Sequence, residues 1–320
     1  RLAWLLYFPA LLMLVPGVEA VLIGSAKMIY DAIFPCLLLL FVGGVLAAKG
    51  SQRPGLAFGI ATLAGLSLSA AELSRTFILV MLPFLILWAL LQFFEKRQYR
   101  LMLAFLLPLL LLSWGWHLRL KIVHDQLFWS NHGGCNLSNA WLPLIDHRVL
   151  MPQLEPEAPP RDAWKFHNLN TDVHTRNCER MKDHIVSQIK ADPRRAFGVF
   201  WENSIKVVRA PVGMYDHWPE GPVIDLYRWM VRLMYLATAV LLLAYVSRSW
   251  RDPRYLYSTD GVMLFICLSL TLFSIIGERW ELSRFTVSSL PFLLFLWVRV
   301  GQMFGEAWSG SSEGLKGSET

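Results

Sequence analysis

The stretch SRTFILVMLPFLILWALLQFF, residues 74–94, decides the fold class, because no charged side chain follows Arg75 in it. A helix needs about 20 apolar residues to cross roughly 30 Å of hydrocarbon. The run LMLAFLLPLLLLSWGW at 101–116 repeats this pattern. Since such runs recur along the chain, the sequence predicts an all-α polytopic membrane protein rather than a large soluble protein with buried helices.

The composition agrees with a surface that faces lipid. The 320 residues are 55% hydrophobic and only 17% charged, with a mean hydropathy of +0.41. Soluble domains carry about 25% charged residues. The net charge of +6 does not indicate nucleic-acid binding, because many of the basic residues lie in short loops between apolar windows.

Apolar windows predict about eight spans and divide the chain into four regions. The windows are 2–23, 29–48, 55–73, 74–94, 101–118, 226–247, 261–276 and 285–303. The regions are transmembrane helices 1–5 (1–119), an extracytoplasmic domain (120–225), transmembrane helices 6–8 (226–303) and a cytoplasmic tail (304–320).

Basic residues in three loops predict the orientation. The loops at 49–53, 96–100 and 248–254 are rich in Lys and Arg, and with eight spans all three lie on one side. The positive-inside rule makes that side the cytoplasm. We therefore expect an integral inner (plasma) membrane protein with a cytoplasmic C-terminus and a segment of about 105 residues outside, too long to be a simple connection.

Two helices are predicted in this outer segment. One begins near Thr171 and ends before Pro193, and Asp192 is then a suitable N-cap for a second helix with Pro193 in its first turn. The second helix is amphipathic, which predicts that it rests on the bundle or in the headgroup layer. Its predicted apolar side comprises Phe197, Phe200, Trp201, Ile205 and Val208.

The cysteines and histidines leave alternatives open. Cys36 and Cys267 lie within predicted spans, and we interpret them as packing residues. Cys135 and Cys178 lie in the outer segment, where either a disulfide or two free thiols is compatible with the sequence. His174, Cys178 and His184 share a helix, but their spacing does not direct three ligands at one centre. We predict surface histidines and no metal site.

Charged residues recur where the spans meet the outer interface. Glu72 and Arg75 lie at one turn, Arg119 ends the fifth span, and Glu281 and Arg284 precede the last span. Ionisable groups near hydrocarbon face a cavity or a partner, or they extend to the interface and pair with each other. A cluster of guanidinium groups would suit a lipid phosphate, because Arg binds phosphate bidentately.

Several motifs together resemble bacterial membrane glycosyltransferases of the GT-C class (the protein-mannosyltransferase and aminoarabinose-transferase-like superfamily). Their order along the C-terminal two thirds of such proteins is the same. The matching residues are Trp116 and Arg119 at the end of a span, Gly133, Gly134 and Asn136 after it, Arg75 with Pro83, the pair of helices around ADPRRAFGVFWENSIKVVRAP (191–211), and Glu281, Arg284, Phe285 and Pro291. Leu120 stands where the family has Asn.

The resemblance implies transfer of a sugar from a polyprenyl-phosphate carrier to an acceptor on the outer face. It makes Arg75, Arg119 and Arg284 candidates for binding the donor phosphate. It also places Glu72, Gly133, Gly134, Asn136 and Glu281 in an acceptor or sugar pocket. In that pocket HGGCNLSNAW (132–141) would be a loop over the headgroup, with its glycines free to adopt positive φ.

The resemblance leaves the catalytic residue unknown. The family carries its catalytic Asp in a first outer loop that we do not find, so the chain is expected to begin after it. The expected partners are membrane lipid and the lipid-linked sugar. The alternative is an inactive relative that serves as a structural subunit beside other membrane subunits. A transporter is the weakest of the three hypotheses, since no inverted repeat is visible.

Overall fold

The computed structural model describes residues 29–74, 78–124, 133–155, 172–209, 222–277 and 288–303. These residues form helices and turns, without a strand among them. The helices are α1 (Ile29–Gly50), α2 (Pro54–Ser74), α3 (Ile78–Phe94), α4 (Tyr99–Pro108), a π-helical segment (Leu109–Trp114), α5 (Gly115–His124), α6 (Gly133–Ala140), α7 (His147–Leu150), α8 (Asp172–Ala191), α9 (Pro193–Arg209), α10 (Pro222–Arg251), α11 (Thr259–Gly277) and α12 (residues 288–303).

Five helical stretches of the described chain are long and apolar enough to cross a membrane. They are Ile33–Gly50, Pro54–Ser74, Tyr99–Val123, Arg228–Arg251 and Thr259–Ile276, and the apolar helix Ile78–Phe94 is shorter. For the described residues, the prediction of an all-helical protein with several helices long and apolar enough to span a membrane is thereby confirmed. The count of eight stays a prediction, and the first window, 2–23, lies outside the described residues.

Small residues bring α1, α2 and α4 together. Gly44 of α1 lies against Ala64 of α2, and Gly65 of α2 lies against the backbone of Phe105 in α4. Glycine and alanine at helix crossings let two backbones approach closely, which membrane bundles use in place of hydrophobic burial. The core beside this crossing is aromatic, with Phe41 packing on both Trp88 and Phe105. This packing sets α2 and α4 side by side and parallel.

Helix directions define two ends of the bundle. The loop end holds the connections after α1, α3 and α10, where Lys49 bonds to Gln92 over 2.9 Å and to Glu95. Gln92 in turn donates to the carbonyl of Tyr257 over 2.7 Å. The other end, at which α2, α5 and α11 finish, carries α6 to α9 and is called the insert end. Polar side chains thus join the helices at the loop end.

The insert (residues 133–155 and 172–209) packs on the end of α11. Trp141 donates from Nε1 to the carbonyl of Ile276 over 3.0 Å. Asn203 donates to the carbonyls of Ala140 at 2.9 Å and Ile275 at 3.3 Å. A buried carbonyl at a helix end lacks an intrahelical partner, so these bonds satisfy groups that would otherwise be unpaired. The insert is therefore fixed to the bundle by directed bonds as well as apolar contact.

The two predicted insert helices are confirmed in α8 and α9, and the predicted apolar side of α9 is only in part the side that packs in the insert core. Asp192 caps α9 by accepting from the N–H of Arg195 over 2.9 Å. Phe197 and Trp201 are 64% and 57% exposed, whereas Val199 and Val207 are buried. The sequence overlooked Asn203 because a polar residue was not expected on the packed face. The two exposed aromatic side chains therefore lie away from the insert core.

Candidate functional site

At the insert end, the buried carboxylate of Glu72 on α2 contacts the π-helical segment and α5, which follow α4 in the chain. Glu72 is fully buried. Its Oε2 accepts a hydrogen bond from Ser113 Oγ over 2.7 Å, and its Oε1 lies 2.6 Å from Nε2 of His117. Ionisable groups inside a membrane bundle are costly and mark functional sites by default. Glu72, Ser113 and His117, named here the Glu72 cluster, form the candidate site.

The approach of α2 to α4 positions the carboxylate. A Cβ atom on Gly65 would lie 2.2 Å from the carbonyl oxygen of Phe105, so no side chain fits there without moving backbone. Glu72 follows Gly65 by two helical turns. The close crossing therefore sets Glu72 beside the segment that carries Ser113 and His117.

A π-helical segment positions the two partners of Glu72. Pro108 has no N–H and interrupts the regular i→i−4 ladder. The chain then continues through Leu109–Trp114, where the N–H of Gly115 bonds to the carbonyl of Leu110, five residues earlier. Segments of this kind are rare and occur frequently at functional sites. The local geometry turns Ser113 to the buried side of the bundle, where its side chain is fully enclosed.

The members of the cluster differ in accessibility. The side chain of His117 is 13% exposed, while that of Glu72 is completely enclosed. A neutral imidazole is a donor on one nitrogen and an acceptor on the other. The pair can therefore take up or release a proton at His117 while the carboxylate holds the ring in one orientation, as the carboxylates of catalytic triads do.

Of the three arginines predicted to bind a donor phosphate, the structure describes one. Arg119 lies two residues beyond His117, is exposed, and has its guanidinium 5.4 Å from the centre of the Trp116 ring. Stacking of this kind holds a guanidinium in place while leaving its N–H groups directed outward. Arg75, Arg284 and the predicted pocket residue Glu281 lie outside the described residues.

The prediction of a loop at HGGCNLSNAW is wrong for residues 133–140. Gly133, Gly134 and Asn136 lie in helix α6, and no glycine of the described residues has a positive φ. Two glycines disfavour a helix by about 1 kcal/mol each. Tertiary packing outweighs this low helix propensity, because Ala140 at the end of α6 and the adjacent Trp141 are buried in the insert core. The glycines therefore start a helix, and a position over a lipid headgroup stays a prediction.

The structure brings Cys135 and Cys178 together as a disulfide that joins α6 to α8. The expectation that the histidines of α8 are surface residues is wrong for His184, which is 8% exposed and accepts from the N–H of Asp146 over 3.3 Å. His174 is half-buried beside Cys178. Packing of α8 against residues 133–150 encloses these polar groups.

Sequence reasoning missed Ser113 and His117 as partners of Glu72. The sequence did contain a signal, because Ser113 and His117 are both polar and lie four residues apart. Ser113 also interrupts an otherwise apolar run. Residues four apart share a helix face. A polar pair on one face, with a carboxylate in a neighbouring span, predicts a hydrogen-bonded cluster inside the bundle.

Comparison of the chain with models of protein families, with characterised proteins and with solved structures found no match. A function for this chain is therefore inferred from its own residues.

Proposed function

We propose that this chain is a membrane glycosyltransferase that moves a sugar from a polyprenyl-phosphate carrier to an acceptor hydroxyl, with the Glu72 cluster as its acid–base centre. One observation carries the proposal: an enclosed carboxylate bonded to a more accessible histidine in an apolar bundle. Such a pair is suited to accepting a proton from a hydroxyl. The motif resemblance to GT-C enzymes supports the choice of a lipid-linked sugar as donor.

The proposed reaction is a displacement at the anomeric carbon. The acceptor oxygen forms a bond to that carbon as its proton passes to His117, and Glu72 stabilises the imidazolium that results. The bond between the anomeric carbon and the phosphate oxygen breaks, and polyprenyl phosphate leaves with the bonding electrons. The guanidinium of Arg119, together with Arg75 and Arg284, would balance the charge that develops on the leaving phosphate.

The test measures release of polyprenyl phosphate from synthetic short-chain polyprenyl-phosphate hexoses, with the full protein in detergent and a membrane lipid extract as acceptor. General acid–base catalysis contributes about 100-fold or more, so Glu72→Gln and His117→Gln should each reduce release by at least that factor. Matched controls are Glu95→Gln and His147→Gln, which change an exposed carboxylate and an exposed histidine. These controls should retain the wild-type rate.

A structural subunit is the second candidate, and one observation favours it. Both oxygens of Glu72 are bonded within the protein and the side chain is fully enclosed, so the cluster could simply fasten two helices. In that case Glu72→Gln should lower the melting temperature of the purified protein. Donor release at the wild-type rate in both variants, with reduced thermal stability, would contradict the acid–base role and favour the structural one.

A further inference from the structure

Four atoms that bind soft metal ions lie near one another in the insert, and none belongs to the Glu72 cluster. Cys178 Sγ is 3.3 Å from Nε2 of His174, and Cys135 Sγ is 3.9 Å from Sδ of Met181. The ligand atoms of Cys135, His174 and Cys178 all lie within 4.8 Å of one another. Two elements, α6 and α8, therefore supply one group of nitrogen and sulfur donors.

The three donors from α8 share one face of the helix. His174, Cys178 and Met181 are related by steps of four and three residues, which align side chains along a helix. Cys135 comes from α6, which packs against this face. The histidine and cysteines are at least partly buried, and Cys178 is fully enclosed. The residue spacing within α8 alone does not predict this group, because the fourth donor comes from another helix.

We propose that reduction of the Cys135–Cys178 disulfide converts this group into a binding site for a monovalent copper ion. Two thiolates, a thioether and an imidazole form a soft ligand set, and soft sulfur ligands select Cu⁺. The disulfide is then the closed form of the site and the dithiol is the open form. The redox state of the insert determines whether the metal binds.

The chemistry balances with a dithiol reductant. Two thiol groups of the reductant give two electrons and two protons to the disulfide, the S–S bond breaks, and the reductant leaves as its own disulfide. Each cysteine thiol then loses its proton when Cu⁺ binds, since the thiolate is the ligand. His174 binds through a nitrogen lone pair and Met181 through sulfur.

Two of the existing ligand–ligand distances are close to those around a tetrahedral ion. Metal–sulfur bonds of about 2.3 Å and metal–nitrogen bonds of about 2.0 Å give ligand separations of about 3.8 Å for two sulfurs and about 3.5 Å for sulfur and nitrogen. The Cys135–Met181 and Cys178–His174 distances of 3.9 and 3.3 Å are close to these values. The two cysteine sulfurs must also separate once their bond is broken.

The experiment titrates Cu⁺ into the full protein in detergent. The protein is first reduced with dithiothreitol and freed of it without oxygen, and a chromophoric Cu⁺ chelator competes for the metal. We expect one equivalent of Cu⁺ on the reduced protein and none at this site on the oxidised protein. X-ray absorption should show sulfur and nitrogen around the ion.

Variants decide between this site and incidental binding. His174→Ala and Met181→Leu should each weaken Cu⁺ binding by at least about tenfold, and Cys135→Ser with Cys178→Ser should abolish it. His147→Ala and Met151→Leu change an exposed histidine and an exposed methionine of the same insert and should bind as wild type. Equal affinity of His174→Ala and wild type, copper uptake by the double serine variant, or stronger binding of Zn²⁺ than of Cu⁺ would overturn the proposal.

Discussion

At the loop end of the bundle Lys49 bonds to Gln92 and to Glu95, whose side chain is 53% exposed, whereas at the insert end Glu72 is wholly enclosed by protein. Both ends join helices with charged and polar side chains. At the loop end solvent reaches the charged groups, whereas at the insert end the side chains of Ser113 and His117 contact the carboxylate within the part of the chain that the structure describes. The same residue type therefore serves as an ordinary helix-end anchor in one place and as a candidate reactive group in the other.

The burial of Glu72 has an energetic consequence that Glu95 does not share. Removing one partner of a buried polar group costs about 1–3 kcal/mol, and more when that group is charged. A partly exposed ion pair contributes about 0–1 kcal/mol, because water replaces the lost partner. A structure that retains the costly arrangement has it for packing specificity or for chemistry. Substitutions at the two ends should show whether Glu72 is retained for packing specificity or for chemistry.

The largest effect is expected from Gly65→Ala, which disrupts the close packing of α2 against α4 that positions Glu72. The new Cβ would lie 2.2 Å from the carbonyl oxygen of Phe105, so α2 and α4 must separate, at a cost of about 3 kcal/mol. Gly59→Ala in the same helix is the matched control, since nothing lies within 4 Å of its Cβ. We expect a lower melting temperature in detergent for Gly65→Ala alone. Equal melting temperatures would contradict the close crossing.

A smaller effect is expected from Ser113→Ala, which removes one donor to Glu72. Loss of that hydrogen bond in the enclosed cluster should lower the free energy of unfolding by about 2 kcal/mol. Ser69→Ala is the control, because this buried serine donates only to the carbonyl of Gly65 in its own helix, over 2.9 Å. Denaturant titration of both variants checks the difference. Similar losses in both would show that Glu72 does not depend on Ser113.

The smallest effect is expected from Glu95→Gln at the loop end, below about 0.5 kcal/mol near neutral pH. The hydrogen bond from Lys49 holds the pKa of the Glu95 carboxyl below its ordinary value of 4.5, and the charges of Lys96 and Arg254 act in the same direction. Its contribution is thus fully present above that ordinary value and is lost as the pH falls through the lowered pKa. Thermal unfolding of wild type and variant between pH 7 and pH 3 measures the difference, which should shrink as the pH falls. A difference that grows toward acid would contradict this sign.

Local sequence was sufficient for the helices that it predicted well. Asp192 followed by Pro193 placed the boundary between α8 and α9, because capping involves groups only a few residues apart. Long apolar runs likewise predicted helices able to cross a membrane. The helical state of Gly133 and Gly134 was not predictable in this way, since propensity opposes it and packing of the insert decides it.

The sequence by itself determined the class of the protein, because the length and polarity of each segment fix whether it can lie in lipid as a helix. Only the tertiary structure decided which polar residues meet. Glu72 and His117 are 45 residues apart, and Cys135 and Cys178 are 43 apart. Such meetings depend on the rotation of each helix about its axis and on the π-helical segment before Gly115. Side-chain packing over the whole bundle sets both quantities, and no single segment encodes them.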